Sequence, residues 1–345
     1  MVRKAYVVIL FREETSICFD DILLVPQQSD IVSRKLVNLT MHGYNFPIVS
    51  SPMDTVTGWE MAAHIADAGG IGIIHRYMDN VERLNQLQMA LSATNNPDNV
   101  GVGISALESM ESNFINDLIT LGCKWVCIDT ANGHGDSCAL AVRSLKSRYP
   151  ELKIMAGNVA TASGYAHLAK MGADAVRVGI GGGATCTTRL VSGHGVPTLQ
   201  SIIDCYKFKQ ETGIKTLIVA DGGIKTTGDI VKSFAAGADL VMLGSMLAGT
   251  AESPGDVING FKSFRGMASA KAQLDWRGKV SVAEGIDTLI PYKGIVKDVI
   301  DSIIGGIGSG CSYSGVHNLE DLSKEALYTL VSSNSVKESI PHGKR

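Results

Sequence analysis

Cys186 stands in the run Val178-Gly-Ile-Gly-Gly-Gly-Ala-Thr-Cys-Thr-Thr-Arg189, a thiol set among threonines and an arginine directly after a glycine-rich turn. A thiolate is a strong nucleophile, and neighbouring hydroxyls and a cation favour it. The glycines let the backbone approach a ligand closely and aim successive N–H or C=O groups at one point. A tight turn around a packed cysteine would use similar residues. The density of glycine and polar groups here makes Cys186 the candidate reactive centre. Other polar residues close apolar runs along the chain: Asp54, His75-Arg76, Asp129-Thr-Ala-Asn132, Asn158, Asp221-Gly-Gly223 and Gly244-Ser245. The last two groups can present backbone N–H to a phosphate. Any one aspartate taken alone is as readily a helix cap or a turn.

The elements that must position these residues are written in the hydrophobic pattern. Apolar, β-branched runs at 46–51, 70–75, 100–105, 125–131, 153–159, 175–180, 216–221 and 240–245 read as strands buried on both faces. Stretches of helical periodicity lie between them at 59–68, 108–121, 139–148, 162–171, 199–212 and 228–236. Several end at a glycine stop, as in Met171-Gly-Ala173 and Ala236-Gly-Ala238. Eight strand–helix units predict an α/β fold of the (β/α)8 TIM-barrel type in one domain. The competing doubly wound sheet would carry Gly-x-Gly-x-x-Gly after its first strand, where this chain has Ser51-Pro-Met-Asp54. A barrel places its chemistry at the C-terminal strand ends, which is where the polar residues gather. The expected organisation is an N-terminal arm over 1–34, the barrel over 35–331 with an active-site segment at 264–294, and a polar, disordered tail over 332–345.

Composition narrows the partners. The 345 residues are 45% hydrophobic and 19% charged with a net charge of −3, which leaves no basic footprint for nucleic acid or a membrane surface. Seven cysteines without a Cys-x-x-Cys pair fit a reducing, cytoplasmic setting rather than a disulfide framework or zinc cluster. Cys18, Cys123, Cys127, Cys138 and Cys205 lie in apolar or helical runs and read as packing residues. The basic and apolar start of the chain lacks a cleavage pattern and reads as an arm. No run reaches the length of a membrane span.

Ser51-Pro-Met-Asp-Thr-Val56, Gly157-Asn-Val159, Val178-Gly-Ile-Gly181 with Thr185-Cys-Thr-Thr-Arg189, Ala220-Asp-Gly-Gly-Ile224, Met242-Leu-Gly-Ser245, Arg265-Gly-Met267 and Pro291-Tyr-Lys-Gly294 together resemble the IMP dehydrogenase/GMP reductase family. The resemblance runs from about 16 to 322. It implies a homotetrameric enzyme of purine nucleotides, GMP or IMP, in which Cys186 forms a thioimidate at purine C2 with Thr188 and Glu284 as proton relay. It assigns nucleotide binding to Asp221, Gly222, Gly223, Gly244, Ser245, Gly266, Met267, Ala268, Ser269 and Gly285. A monovalent cation (K+) would sit on carbonyls of Gly181, Gly183, Cys186 and Arg189. The cofactor NADPH would use Arg76, Asp129, Thr130, Ala131, Ile180 and Gly181, with Ser309, Gly310 and Tyr313, and Ser33 and Arg34 from a neighbouring subunit. Read without the resemblance, Glu284 is a solvated carboxylate and Thr188 a helix cap. Gly182 and Ala184 depart from the family's usual proline and serine, and the serine normally helps bind the phosphate, so Thr185 or water would have to replace it.

The two branches share the thioimidate and differ in its fate. The dehydrogenase hydrolyses it with an Arg-Tyr flap; the reductase excludes water. Only one helix fits between His75 and Val100, so no CBS-domain pair is inserted there, and the segment from Met267 to Glu284 has Trp276-Arg277 but no Arg-Tyr. Asp129-Thr-Ala-Asn-Gly133 also resembles the reductase, whereas 53–57 and 69–74 resemble the dehydrogenase. The balance favours NADPH-dependent GMP reductase, with NAD-dependent IMP dehydrogenase as the alternative and a nucleotide-binding regulatory member as a third reading.

Overall fold

The computed structural model describes residues 15–341 and Gly343; the run 1–14, expected as part of the arm, lies outside them. After the short strand β1 (Ile22–Leu24) come eight parallel strands, β2 (Ile48–Ser50), β3 (Ile71–Ile74), β4 (Val100–Ile104), β5 (Trp125–Asp129), β6 (Lys153–Val159), β7 (Ala175–Val178), β8 (Leu217–Asp221) and β9 (Leu240–Leu243). Each pairs with the next and β9 pairs with β2, so the sheet closes into a single-domain TIM barrel. β10 (Phe261–Arg265) and β11 (Asp287–Pro291) form an antiparallel hairpin beyond the last barrel strand. β12 (Tyr328–Leu330) returns to pair with β1, tying the N-terminal arm to the C-terminal region.

Burial on both faces explains the near-continuous apolar runs. Val49, Ile71, Ile73, Trp125, Met155, Val219, Leu240 and Met242 fill the barrel interior, while a larger cluster packs the strands' outer faces against the helices. Gly101 makes space for Trp125: a Cβ there would lie 2.6 Å from the tryptophan's own Cβ. At the N-terminal end the sequence repeat Gly-Ala-Asp forms two equivalent clasps. Asp174 accepts from Ile154 N at 2.7 Å and Lys146 Nζ at 2.9 Å, and Asp239 accepts from Ile218 N at 2.7 Å and Lys209 Nζ at 2.6 Å. Conserving that face for structure leaves the opposite rim to the site.

Two local expectations differ from the structure. The periodic stretch 108–121 is not one helix: a 3-10 turn, Glu108–Met110, precedes the helix Ser112–Leu121. The reason is Glu108, whose carboxylate is drawn to Arg83 at 2.7 Å and to Ser105 N at 2.6 Å. Beyond β12 the tail, expected to be disordered, carries a short helix, Asn334–Glu338. Among the described residues no helix is long and apolar enough to cross a membrane.

Candidate active site

The Cys186 loop leaves β7 at Gly179, where the chain passes so close to β8 that a Cβ would lie 1.9 Å from the Asp221 carbonyl oxygen. Gly179→Ala is therefore expected to cost about 1–3 kcal/mol by overpacking, read as a lower midpoint in urea unfolding. Gly182 has a similar reason to be glycine. A Cβ there would lie 2.7 Å from Thr198 Oγ1, a buried hydroxyl with no hydrogen-bond partner among the described residues. The departure at Gly182 is thus matched to Thr198. Further on, Cys186 N donates to the Gly183 carbonyl at 3.1 Å, and Cys186 Sγ donates to Thr188 Oγ1 at 3.2 Å. Thr188 opens the helix Thr188–Ser192 but makes no capping bond of its own; its hydroxyl faces the thiol.

Backbone pairing brings Glu284 to this loop. Thr187 N donates to the Glu284 carbonyl at 3.0 Å and Ile286 N to the Thr185 carbonyl at 2.9 Å, so 185–187 and 284–286 run side by side. On the far side Glu284 N donates to Ala268 O at 3.0 Å and Gly266 N to Ile286 O at 3.0 Å. Three rows, holding Cys186, Glu284 and the strip from Gly266 to Ser269, thereby face one cavity of about 560 Å³. Met267 and Ala268 line it; Ser269 and Gly285 build its wall through the bridge between them.

The 264–294 segment is firmly tethered. Ser269 caps the helix Ala270–Arg277 through Ala272 N at 3.3 Å and donates to Asp287 at 3.0 Å. The buried Gln273 amide donates to Ala268 O at 2.9 Å and Val282 O at 2.8 Å, and accepts from Ser281 N at 3.0 Å. Arg265, buried at the end of β10, binds Asp54 through Nε at 3.0 Å and Asp275 through Nη1 at 2.6 Å. Trp276 Nε1 reaches the same Asp54 at 3.0 Å, with its ring 6.3 Å from that of Tyr77. Asp54, ambiguous in sequence, is the anchor of this lid rather than a helix cap.

At the opposite wall lies a buried ionic relay that the sequence reading missed. Arg177 on β7 sits between Asp129, at 2.7 Å, and Asp221, at 2.9 Å. Asn158 Nδ2 also donates to Asp221 at 2.8 Å, and Arg76 Nε and Tyr77 OH both reach Asp129 at 3.3 Å. Burial alone would raise the Asp129 pKa, but Arg177 and Arg76 hold it below the usual carboxylate range. The same carboxylates keep Arg177 protonated against its own desolvation. The available signal was an arginine inside the apolar run Ala175–Val178, since a charge in a fully buried strand needs a partner. Arg76, expected to contact the cofactor, already spends its charge on Asp129 and stacks 4.7 Å over Tyr77.

The cavity gathers most of the remaining candidates: Thr130, Ala131, Ile180, Gly181, Gly222, Gly223, Gly244 and Ser245. Lys293 Nζ donates to the Ser245 carbonyl at 2.6 Å and steadies that turn from behind. Ala184 is exposed, and Thr185 is buried against the 284–286 row. Arg34, Ser309, Gly310 and Tyr313 instead line a second cavity of about 500 Å³, and Ser33 caps the adjoining 3-10 turn. For a monovalent cation the donors would be carbonyls. Those of Gly181 and Cys186 accept no hydrogen bond among the described residues, while that of Gly183 accepts one. The Arg189 side chain caps the Val196 carbonyl at 3.1 Å, closing the loop's base. This donor set fits a cation of low charge. Of the other cysteines, Cys123, Cys127, Cys138, Cys205 and Cys311 are buried and Cys18 is half-buried.

Comparison with known proteins gives a family model described as IMP dehydrogenase / GMP reductase domain, which matches residues 16–342. An inosine-5'-monophosphate dehydrogenase of Nitrosopumilus maritimus (strain SCM1) is 32% identical over 465 aligned residues, covering 94% of this chain and 97% of the relative. A GMP reductase of Caenorhabditis elegans is 36% identical over 350 residues, covering 95% of each. Among solved structures, a cysteine-to-alanine variant of GMP reductase from Trypanosoma brucei in complex with guanosine 5'-monophosphate superposes with a TM-score of 0.87 at 27% identity, covering 96% of this chain and 98% of that one.

Proposed function

This chain belongs to the IMP dehydrogenase / GMP reductase family of nicotinamide-dependent oxidoreductases, and on that premise we propose that it reduces GMP to IMP with release of ammonia, using NADPH. The observation that carries the choice is the lid. The side chains it brings to the cavity include Gln273, Arg277, Ser281 and Glu284 but no tyrosine. The one aromatic group of its helix, Trp276, has its N–H committed to Asp54 and cannot act as a base. A tethered lid without a water-activating pair favours exclusion of water.

In this reading Cys186 Sγ attacks C2 of GMP, and its proton passes through Thr188 Oγ1, which already receives the S–H, to the Glu284 carboxylate. The tetrahedral adduct must then lose its amine as ammonia. Thr188 relays the proton that the amine needs, with the Glu284 carboxyl as its source. The free Asp221 oxygen orients the ribose, and the backbone N–H groups of Gly222, Gly223, Gly244 and Ser245 receive the 5'-phosphate. Asp129, Thr130 and Ala131 would form the near wall for a dihydronicotinamide, which when bound would supply the hydride to C2. Collapse of the reduced adduct breaks the C–S bond and returns the thiolate to Cys186. The loop carbonyls of Gly181, Gly183, Cys186 and Arg189 would hold K+ and fix the loop that carries the thiol. The separate cavity at Arg34 and Tyr313 would serve a cofactor bound to a neighbouring subunit of a homotetramer.

One assay tests the proposal. With GMP and NADPH the near-ultraviolet absorbance of the dihydronicotinamide should fall; formation of NADH from IMP and NAD instead would assign the dehydrogenase reaction. Glu284→Gln should lower kcat by about 10²–10⁴-fold with GMP binding retained, measured by the same assay and by equilibrium titration.

A further inference from the structure

We propose that Arg177 is a positioning residue that couples the two halves of the cavity, so that a purine nucleotide bound at Asp221 tightens the binding of the nicotinamide cofactor at Asp129. The identity of the two ligands rests on the function proposed above; the coupling rests on the geometry. Arg177 Nε and Nη2 meet Asp221 Oδ2 at 3.1 and 2.9 Å, and Nη1 meets Asp129 Oδ1 at 2.7 Å. Asn158 Nδ2 also donates to Asp221 Oδ2, at 2.8 Å, so Oδ1 accepts nothing among the described residues and is left for a ligand hydroxyl in the cavity.

A guanidinium is a rigid plane. Fixing Asp221 fixes the edge formed by Nε and Nη2, and with it the direction in which Nη1 holds Asp129. The Arg177 side chain is only 8% exposed, so water cannot absorb the change. A ligand that holds Asp221 in place thereby holds Asp129 in place for the second ligand, which binds more tightly. Such a linkage is reciprocal: the cofactor must tighten the nucleotide by the same factor.

The test uses the Cys186→Ala chain, in which no adduct forms, with GMP and NADPH as probes in calorimetric titrations. NADPH should bind about five-fold or more tightly at saturating GMP than without it. In Cys186→Ala/Arg177→Lys, which keeps the charge but cannot span both carboxylates, the two NADPH constants should agree within about two-fold. A merely structural arginine would weaken both constants and leave their ratio intact. Loss of the ratio in the lysine variant supports the proposal, and its persistence overturns it. Should the lysine variant not fold, Asp129→Asn in the same background weakens the Nη1 arm; because Asp129 also meets Arg76, Tyr77 and the cofactor, both NADPH constants should weaken, and their ratio must still be abolished. Binding of both ligands without coupling overturns this inference alone. Binding of neither GMP nor IMP overturns the proposed function, and the coupling with it.

Discussion

Cys186→Ala should reduce turnover of GMP by roughly 10⁴-fold or more, with the nucleotide still bound. The size follows from the chemistry: without a thiol no covalent adduct forms at C2, and among the described residues no other cysteine lines the cavity. Thr188, the nearest hydroxyl, is 3.2 Å from Sγ and would itself need a base. The fold should not suffer, because Cys186 is only half-buried and Thr188 Oγ1 is the one side-chain partner of its Sγ among the described residues. Equal melting temperatures, retained GMP binding and lost oxidation of NADPH would together mark the nucleophile. Activity within tenfold of the parent would remove Cys186 from the mechanism.

The second large effect concerns stability. Arg177→Met should destabilise the chain by about 3–5 kcal/mol near neutral pH, because it strands two carboxylates in a buried site. Its pH dependence carries a sign that other core substitutions lack. In the parent, the folded-state pKa of Asp129 lies below the unfolded value of about 4. Its contribution to stability is therefore complete above that value and is lost as pH falls through the lowered folded pKa. In the variant, burial is opposed by Arg76 and the Tyr77 hydroxyl, each at 3.3 Å, without Arg177, and the Asp129 pKa should rise above the unfolded value. A raised carboxylate costs stability when ionised and stops doing so once protonated. The gap between variant and parent should thus be widest near pH 7 and narrow toward pH 4, measured by urea unfolding across that range. A gap of constant size would assign the loss to packing alone.

The barrel was legible because the strands are near-continuous apolar runs and the helices between them repeat at 3.6 residues, a rhythm that local chemistry enforces. The boundaries were less so. The run 125–131 ends as a strand at Asp129 because Thr130 turns its hydroxyl and N–H onto the Gly157 carbonyl. The Cys186 loop could be found because its glycines and its thiol are neighbours in sequence. Arg177 could not, since its carboxylate partners lie 48 and 44 residues away and the strand gives no register across the barrel. The lid was half legible. Its lack of an Arg-Tyr pair is a sequence fact, but its anchorage to Asp54 joins residues 222 apart. Gly182 looked like a departure until Thr198 was seen beneath it.

The tethering of the lid through Trp276 also gives the protein an optical handle. Of its three tryptophans, Trp125 is 1% exposed inside the barrel and Trp59 packs against the core, whereas Trp276 is 43% exposed. An indole whose N–H is bonded to a carboxylate changes its emission when that bond opens to water. Intrinsic fluorescence excited at the red edge should therefore follow the lid in real time, without an attached dye, and Trp276→Phe should silence the signal while the other two tryptophans continue to emit.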